Sequence, residues 1–465
     1  LATAGAFLLQ SSFTFERYLQ EYEKHWNIYP RRPLRLQEYQ DRTLYTTWDL
    51  SYLRLEKEGP DAAKLLQLFA YFDNQSIWYE LLHGGLGDDS PEWLPEVVTD
   101  EVDFDGVMTT LTDYCFLEVQ TATRSWSMHN CVHDWALAAL NKVIDAQQYW
   151  YTFDCVSAYI DGVDWDSLGH LSHGRVAAHA ARLVRHQFRL MNGISPSRLA
   201  QGTNIAQLLQ QQIRLTEAEE MYRRALAGYE KALGPDHTST LDTVNKSGNL
   251  YAIQGKLGEA EKMYRRALAG YEKAPGADYT STLDTANNLG ILYANQGKLG
   301  EAEKMYRRAL AGKEKTLGPD HTLTLGTVGN LGNLYRDQGK LGEAEKMYRR
   351  ALAGKEKVLK VDHTSTLGTV HNLGNLYYDQ GKLGAAEEMY QRALAGYEKA
   401  LGPEHTSTLA TVSNLGSLYA NQGKLGEAEK MYRRALAGYE KALGPDHTST
   451  LKTVYNLGLL YAKLR

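Results

Sequence analysis

From about residue 200 onward, apolar residues recur at the three- and four-residue steps of amphipathic helices, and the helices come in pairs. In one stretch, Leu289, Leu292 and Tyr293 mark the inward face of a first helix over 283–295. Ala302, Tyr306 and Ala309 mark that of a second over 299–317. Gly297 suits the left-handed position that ends the first helix. Gly318-Pro319 breaks the second, and Thr322 with its neighbours can cap the next. The whole motif then repeats. Met221, Met263, Met305, Met347, Met389 and Met431 are each followed by Tyr at a constant step of 42. A fixed period of this size predicts an α-α superhelix, a solenoid in which each helix pair packs only on its neighbours. Gly290 is expected to let helices approach closely, whereas i, i+4 pairs such as Glu303–Arg307 tune an exposed face at about 0.2–0.5 kcal/mol each.

Two units are irregular. Ala206, Leu209 and Ile213 stand where the others have Gly, Tyr and Gly, as in an N-terminal cap. The last helix, 451–465, has no following partner, and its unpaired apolar face implies a truncation or a missing cap.

Most columns of the repeat are nearly constant, and the exceptions cluster. One variable column holds Asp242, Asp284, Gly326, Gly368, Ala410 and Lys452. The next holds Asn245, Asn287, Gly329, His371, Ser413 and Tyr455. Then come Asn249, Ile291, Asn333, Asn375, Ser417 and Leu459, and finally Ala252, Ala294, Arg336, Tyr378, Ala420 and Ala462. Their spacing of three, four and three places them on one stripe of the first helix. A fixed framework with one varied stripe points to a groove tailored to a partner; neutral drift at exposed positions is the bland alternative. A separate column, Asn288, Asn330, Asn372, Asn414 and Asn456, with Lys246 as the exception, keeps a residue that is poor inside helices. Its amides can hold an extended peptide backbone, or they can stitch one repeat to the next.

Residues 43–143 follow another order. Segment 43–58 is amphipathic, Pro60 opens a second helix through Phe72, and 104–114 forms a third. Short strands are expected at 115–119 and 125–129, followed by a helix over 132–140; three helices, a hairpin and a helix describe a winged-helix domain. Residues 144–199 read as a helical linker (147–160 and 171–188), and 1–42 as a helical remnant of a preceding module.

Composition narrows the function. All 8 Trp fall between Trp26 and Trp165. Residues 1–200 carry 16 Lys+Arg against 27 Asp+Glu, and the rest 35 against 29, so neither part has the basic excess of a nucleic-acid binder. No apolar run reaches the roughly 18 residues of a membrane span. Three Cys cannot build a disulfide framework, which points to a reducing, cytoplasmic compartment. His129 and His133 have the spacing of a zinc-protease pair, but Asn130 stands where the catalytic Glu belongs, and no metal site is assigned. The once-per-repeat loop histidines are too far apart to share an ion and read as braces of the turn. With no acid, base or nucleophile constellation in view, an enzyme is not expected.

The pattern Leu-Gly-x-x-Tyr-x-x-x-Gly-x-x-x-x-Ala-x-x-x-Tyr-x-x-Ala resembles the tetratricopeptide repeat. The 42-residue unit with its LGPDHT loop resembles the repeats of kinesin light chain. That resemblance implies that the variable stripe lines a concave surface and that Asn288, Asn330, Asn372 and Asn414 hold a peptide or protein, with Asn287, Asn333, Arg336, His371, Asn375 and Tyr378 setting its identity. TTWDLSY, LLQLFAYFD and SWSMHNCVHDWA resemble the winged-helix end of the NB-ARC module in fungal signal-transduction ATPases of the STAND, NLR-like class. In that family a Met-His-Asp motif reports ADP against ATP. Met128-His129-Asn130 matches two of its three residues, which makes His129 a candidate nucleotide sensor. The phosphate loop G-x-x-x-x-G-K-[ST] does not occur here, so no cofactor is expected in this chain, and ADP or ATP belongs to a longer protein. The expected partners are a peptide or protein in the repeat groove and a nucleotide-binding half, with oligomerisation on activation a further implication. A cargo adaptor like kinesin light chain is the competing reading.

Overall fold

The computed structural model describes residues 36–161, 170–186, 195–273 and 279–464, together with 14, 16 and 17. The expected remnant at 1–42 therefore lies largely outside the described residues, as does the expected end of the linker helix at Phe188. The described chain is mostly helical, with a single two-stranded sheet, and forms two compact units, residues 1–250 and 251–465.

The first unit opens with α1 (Leu36–Glu58) and α2 (Pro60–Phe69), the latter started by Pro60 in its first turn. Two helices of only five residues follow, α3 (Tyr79–His83) and α4 (Leu94–Val98). They were not foreseen, being shorter than the window in which periodicity can be read. α5 (Glu101–Asp113) begins at Asp100, whose carboxylate accepts the N–H groups of Val102 and Asp103. The hairpin pairs β1 (Glu118–Gln120) with β2 (Ser125–Ser127), Glu118 opposite Ser127. β1 starts later than expected because Cys115 sits at φ 57, a left-handed break just before it. α6 (Asn130–Trp135) passes into a π-helical turn, Ala136–Leu140. α7 (Ala146–Asp161) and α8 (His170–His186) follow, and then the first repeat pair, α9 (Pro196–Gln211) and α10 (Leu215–Ala232).

An aromatic core holds this unit. Trp135 is fully buried, stacks on Phe116 at 5.7 Å, and donates its indole N–H to Asp49 Oδ1 at 2.8 Å. Two buried histidines clasp the turn after α2. His179 Nδ1 accepts the Asp73 N–H (3.0 Å), and its Nε2 meets the Ser76 carbonyl (3.1 Å). His133 Nε2 meets the Phe72 carbonyl at 2.9 Å, while its Nδ1 accepts from Arg182 at 3.3 Å. All four ring nitrogens are thus used, and burial pushes both rings down to about 4.

α11 (Thr238–Ile253) carries the division between the units. In the second unit, helices A and B alternate: α12 (Leu257–Lys273), α13 (Tyr279–Asn295), α14 (Leu299–Thr316), α15 (Thr322–Asp337), α16 (Leu341–Leu359), α17 (Thr364–Asp379), α18 (Leu383–Leu401), α19 (Thr406–Asn421), α20 (Leu425–Leu443) and α21 (Thr448–Leu464). The framework residues Leu289, Leu292, Tyr293, Ala302, Tyr306 and Ala309 are all buried.

Three local devices set the repeat. First, the helix-A glycine makes room for an aromatic ring rather than for a backbone. A Cβ at Gly290, Gly332, Gly374 or Gly416 would stand 2.8, 2.9, 2.7 or 2.9 Å from Cδ1 of Tyr306, Tyr348, Tyr390 or Tyr432. Second, the cap of helix A is the loop histidine, not the threonine after it. Nδ1 of His321, His363, His405 and His447 accepts the N–H two residues on at 3.1–3.2 Å, and the next buried threonine hydroxyl (Thr324, Thr366, Thr408, Thr450) bonds back to the loop carbonyl. Third, the i, i+4 ion pairs do more than tune a surface. Glu303 accepts from Arg307, from Tyr335 on the following helix A, and from Gln338, so each such glutamate stitches two repeats.

The framework shows its dependence on helix B at α21. Leu409 and Val412 on α19 are 1% and 0% exposed beneath α20, whereas Leu451 and Val454, one period later, are 54% and 48% exposed.

Candidate functional site

The variable stripe and the asparagine column meet in a cleft of about 400 Å³. It is lined by Ile291, Ala294 and Asn295 of α13, Asn330, Asn333, Leu334, Arg336 and Asp337 of α15, Asn372 and Asn375 of α17, and Tyr306 beneath. Helical spacing explains the assembly: residues 330, 333 and 337 climb one stripe of α15, and 372 and 375 repeat it one period later.

The polar groups of the cleft are oriented by the framework. Tyr390, packed over Gly374, donates its hydroxyl to Asn375 Oδ1 at 2.7 Å, and Tyr348 likewise donates to Asn333 Oδ1. With both oxygens so engaged, Nδ2 of Asn333 and of Asn375 is left as the donor available to a ligand. Asn372 is half-buried in the lining, and no hydrogen bond is formed by its side chain among the described residues. Arg336 stands between two carboxylates, with Asp337 and Asp379 both 3.6 Å away.

Of the residues expected to touch a partner, the cleft gathers Asn330, Asn333, Arg336, Asn372 and Asn375. The others lie outside its lining, and most of them join neighbouring helices. Asn287 Oδ1 accepts from Asn330 at 3.1 Å. Asn414 donates to Asn375 Oδ1 (2.9 Å) and His371 Nε2 (3.2 Å), while His371 Nδ1 meets Thr411 Oγ1 at 2.9 Å. Tyr378 accepts from Asn421, and Asn288 lies half-buried on α13. Asn330 and Asn414 therefore take the stitching role that was the alternative for their column. Because Asn414 uses Nε2 as an acceptor, the His371 ring is neutral. Burial, reinforced by the Arg336 guanidinium, pushes it down to about 4. Asp337 and Asn295 were missed as lining residues. Both belong to one column, Ile253, Asn295, Asp337, Asp379, Asn421 and Lys463, whose variation, together with the seven-residue spacing of Asp337 from Asn330, was the signal that could have found them.

In the first unit, His129 is exposed and caps α6, its Nδ1 accepting the Cys131 N–H at 3.3 Å. Its neighbours are tied to the turn after α2: the Asn74 amide donates to the Met128 carbonyl at 2.8 Å and to Asn130 Oδ1 at 2.6 Å.

The tetratricopeptide repeat model matches residues 198–273, 240–315, 281–357, 365–441 and 407–465, more than half the chain. The chain belongs to the tetratricopeptide repeat family. Among curated proteins, none matches it. Among solved structures, it is similar to a Signal Transduction ATPase with Numerous Domains, a STAND protein with a tetratricopeptide repeat sensor, from Pyrococcus horikoshii. Identity is 15% and the TM-score 0.58, over 99% of this chain and 62% of that one. A putative kinesin light chain of nearly identical repeats from Podosopora anserina matches at 26% identity and TM-score 0.39, over 45% of this chain and 98% of that one. BtubC from P. vanneervenii matches at 22% and 0.41, over 50% and 91%. No described helix is long and apolar enough to cross a membrane.

Proposed function

We propose that this chain is the partner-sensing region of a signal-transduction ATPase, and that the stripe of helix A in its repeats holds an extended peptide or protein segment. The observation that carries the reading is the cleft itself. Residues that vary between otherwise near-identical repeats converge on one space, where framework tyrosines hold the Oδ1 atoms of Asn333 and Asn375 and the Asn372 amide has no hydrogen-bond partner among the described residues. Amide donors at this spacing match the carbonyl groups of an extended backbone. The fold shared with the STAND protein over 99% of this chain supports placing such a groove behind a nucleotide-binding half. On this reading, residues 43–143 are a winged-helix module, 144–199 a helical linker and 200–465 the sensor. His129 faces the ADP or ATP of the longer protein.

The reading is tested by partner capture with the full chain, comparing wild type with Arg336→Ala/Asn372→Ala. Neither side chain holds a repeat junction through a short hydrogen bond, so the melting temperature is expected to stay within about 2 °C, corresponding to less than about 1 kcal/mol. Loss of specific partners by the folded double variant is expected. An unchanged partner list would refute the groove.

A further inference from the structure

One helix-B column holds Tyr229, Tyr271, Lys313, Lys355, Tyr397 and Tyr439. The two lysines occupy equivalent places but different company. Lys313 is 2% exposed, and its ammonium bonds Thr327 Oγ1 at 3.2 Å and pairs with Asp284 Oδ1 at 2.6 Å. Lys355 is 8% exposed and repeats the first contact, reaching Thr369 Oγ1 at 3.0 Å and the Ser365 carbonyl at 3.1 Å. The carboxylate is missing, because Gly326 stands one period after Asp284. Among the described residues no acid pairs with Lys355, and burial alone lowers its pKa below the ordinary lysine value.

A buried ammonium without a counter-charge is costly, and the space beside it is open. A Cβ at Gly326 would meet nothing within 4 Å. In the preceding repeat the Asp284 side chain, which fills that space, remains 38% exposed, so the vacated place is reachable from solvent. It lies outside the lining of the cleft but one helical turn from it. Gly326 lies on the stripe of Asn330 and Asn333, one turn earlier on α15, and Thr369 precedes the unpartnered Asn372 by three residues on α17. In the following repeat the same place is closed, since the Tyr397 hydroxyl stands 3.4 Å from a Cβ at Gly368.

We propose that the gap over Gly326 is a carboxylate-binding subsite, in which the Lys355 ammonium receives a carboxylate of the bound segment at the place Asp284 fills one repeat earlier. The subsite rests on the groove reading for the owner of that carboxylate. Its own chemistry is fixed by Lys355, Thr369 and Gly326. It makes the recognised segment an anion at one point, with backbone carbonyls meeting the asparagine donors beyond it.

The test uses the full chain and three probes at equal ionic strength: N-acetyl-trialanine with a free C-terminus, the same peptide amidated, and the amidated peptide with Asp at its centre. Thermal unfolding is the readout. The wild type is expected to melt higher with an acid-bearing peptide than with the amide, and the better of the two acids tells whether a chain terminus or a side chain is preferred. Gly326→Asp is expected to melt higher than wild type without any peptide and to lose the acid response. Lys355→Tyr, which restores the residue of the flanking repeats, is expected to lose the response as well. Equal responses to acid and amide, or an acid response retained in both variants, would overturn the subsite. That failure is separable from failure of the groove, because partner loss in Arg336→Ala/Asn372→Ala depends on neither Lys355 nor Gly326.

Discussion

Two glycines three residues apart on α15 do opposite things. Gly332 lies under the Tyr348 ring, and a Cβ there would approach within 2.9 Å; Gly329 has nothing within 4 Å. Gly332→Ala is expected to lower stability by about 1–3 kcal/mol, because a methyl group pushes the ring off its seat. Gly329→Ala is expected to raise it by about 0.5–1 kcal/mol, through the helix propensity of alanine alone. Denaturant midpoints for the two variants check the contrast, and a shift of the same sign in both would contradict the packing described. The sequence disclosed that a small residue was required at 290 and its repeats, since the column holds glycine everywhere but at Ala206, but not why. A recurring glycine reads equally as backbone approach or as a ring seat until the tyrosine sixteen residues on is placed. The histidine caps were hidden for a similar reason. Histidine is not among the usual capping residues, and only geometry shows Nδ1 of His321 accepting from Leu323 at 3.2 Å.

At the scale of helices, the seam between α17 and α19 is polar and depends on one tautomer. His371 must be neutral to accept from Asn414 and meet Thr411, and its pKa of about 4 lies below the ordinary 6.5. Between pH 6.5 and about 4 the unfolded chain therefore binds more protons than the folded one, and this seam loses stability as pH falls through that window, by roughly 1–3 kcal/mol in all. His371→Asn keeps an acceptor for Asn414 but cannot titrate; asparagine at the equivalent Asn287 already serves Asn330 in this way. Hydrogen exchange of the α17 and α19 amides is expected to accelerate below pH 6 in the wild type and much less in the variant. Equal acceleration in both would show that the seam does not depend on the ring. The repeat periodicity made the helices themselves legible, α13 and α15 included, because each carries its inward residues at constant spacing. The roles of His371, Tyr378 and Asn287 were not legible. A stripe that varies between repeats is read as facing a ligand, whereas Asn287, His371 and Tyr378 hydrogen-bond to Asn330, Asn414 and Asn421 on the next helix A.

For the molecule as a whole, two kinds of stabilisation stand side by side. The first unit has an aromatic core of high local variety, with Phe116 and Trp48 both packed against Trp135. The repeats of the second unit are held by small modules, the cluster of Leu409, Val412, Ala435 and Tyr439 repeating that of Leu367, Val370, Ala393 and Tyr397. Arrays of this kind gain stability by nearest-neighbour stacking, so their surfaces can change without loss of the fold. On the proposed function, that freedom is what the variable stripe exploits. The central claim is that the stripe around Asn333 and Asn375 is the surface that meets a partner, while the outer face of helix B is not. Its most direct test is a photo-crosslinking side chain placed, in the full chain, at Asn372 in one variant and at Lys346 on exposed α16 in another, each irradiated in extract of cells that express the protein. A discrete crosslinked partner at Asn372 and none at Lys346 is the result expected, and the same partner at Lys346 with none at Asn372 would contradict it.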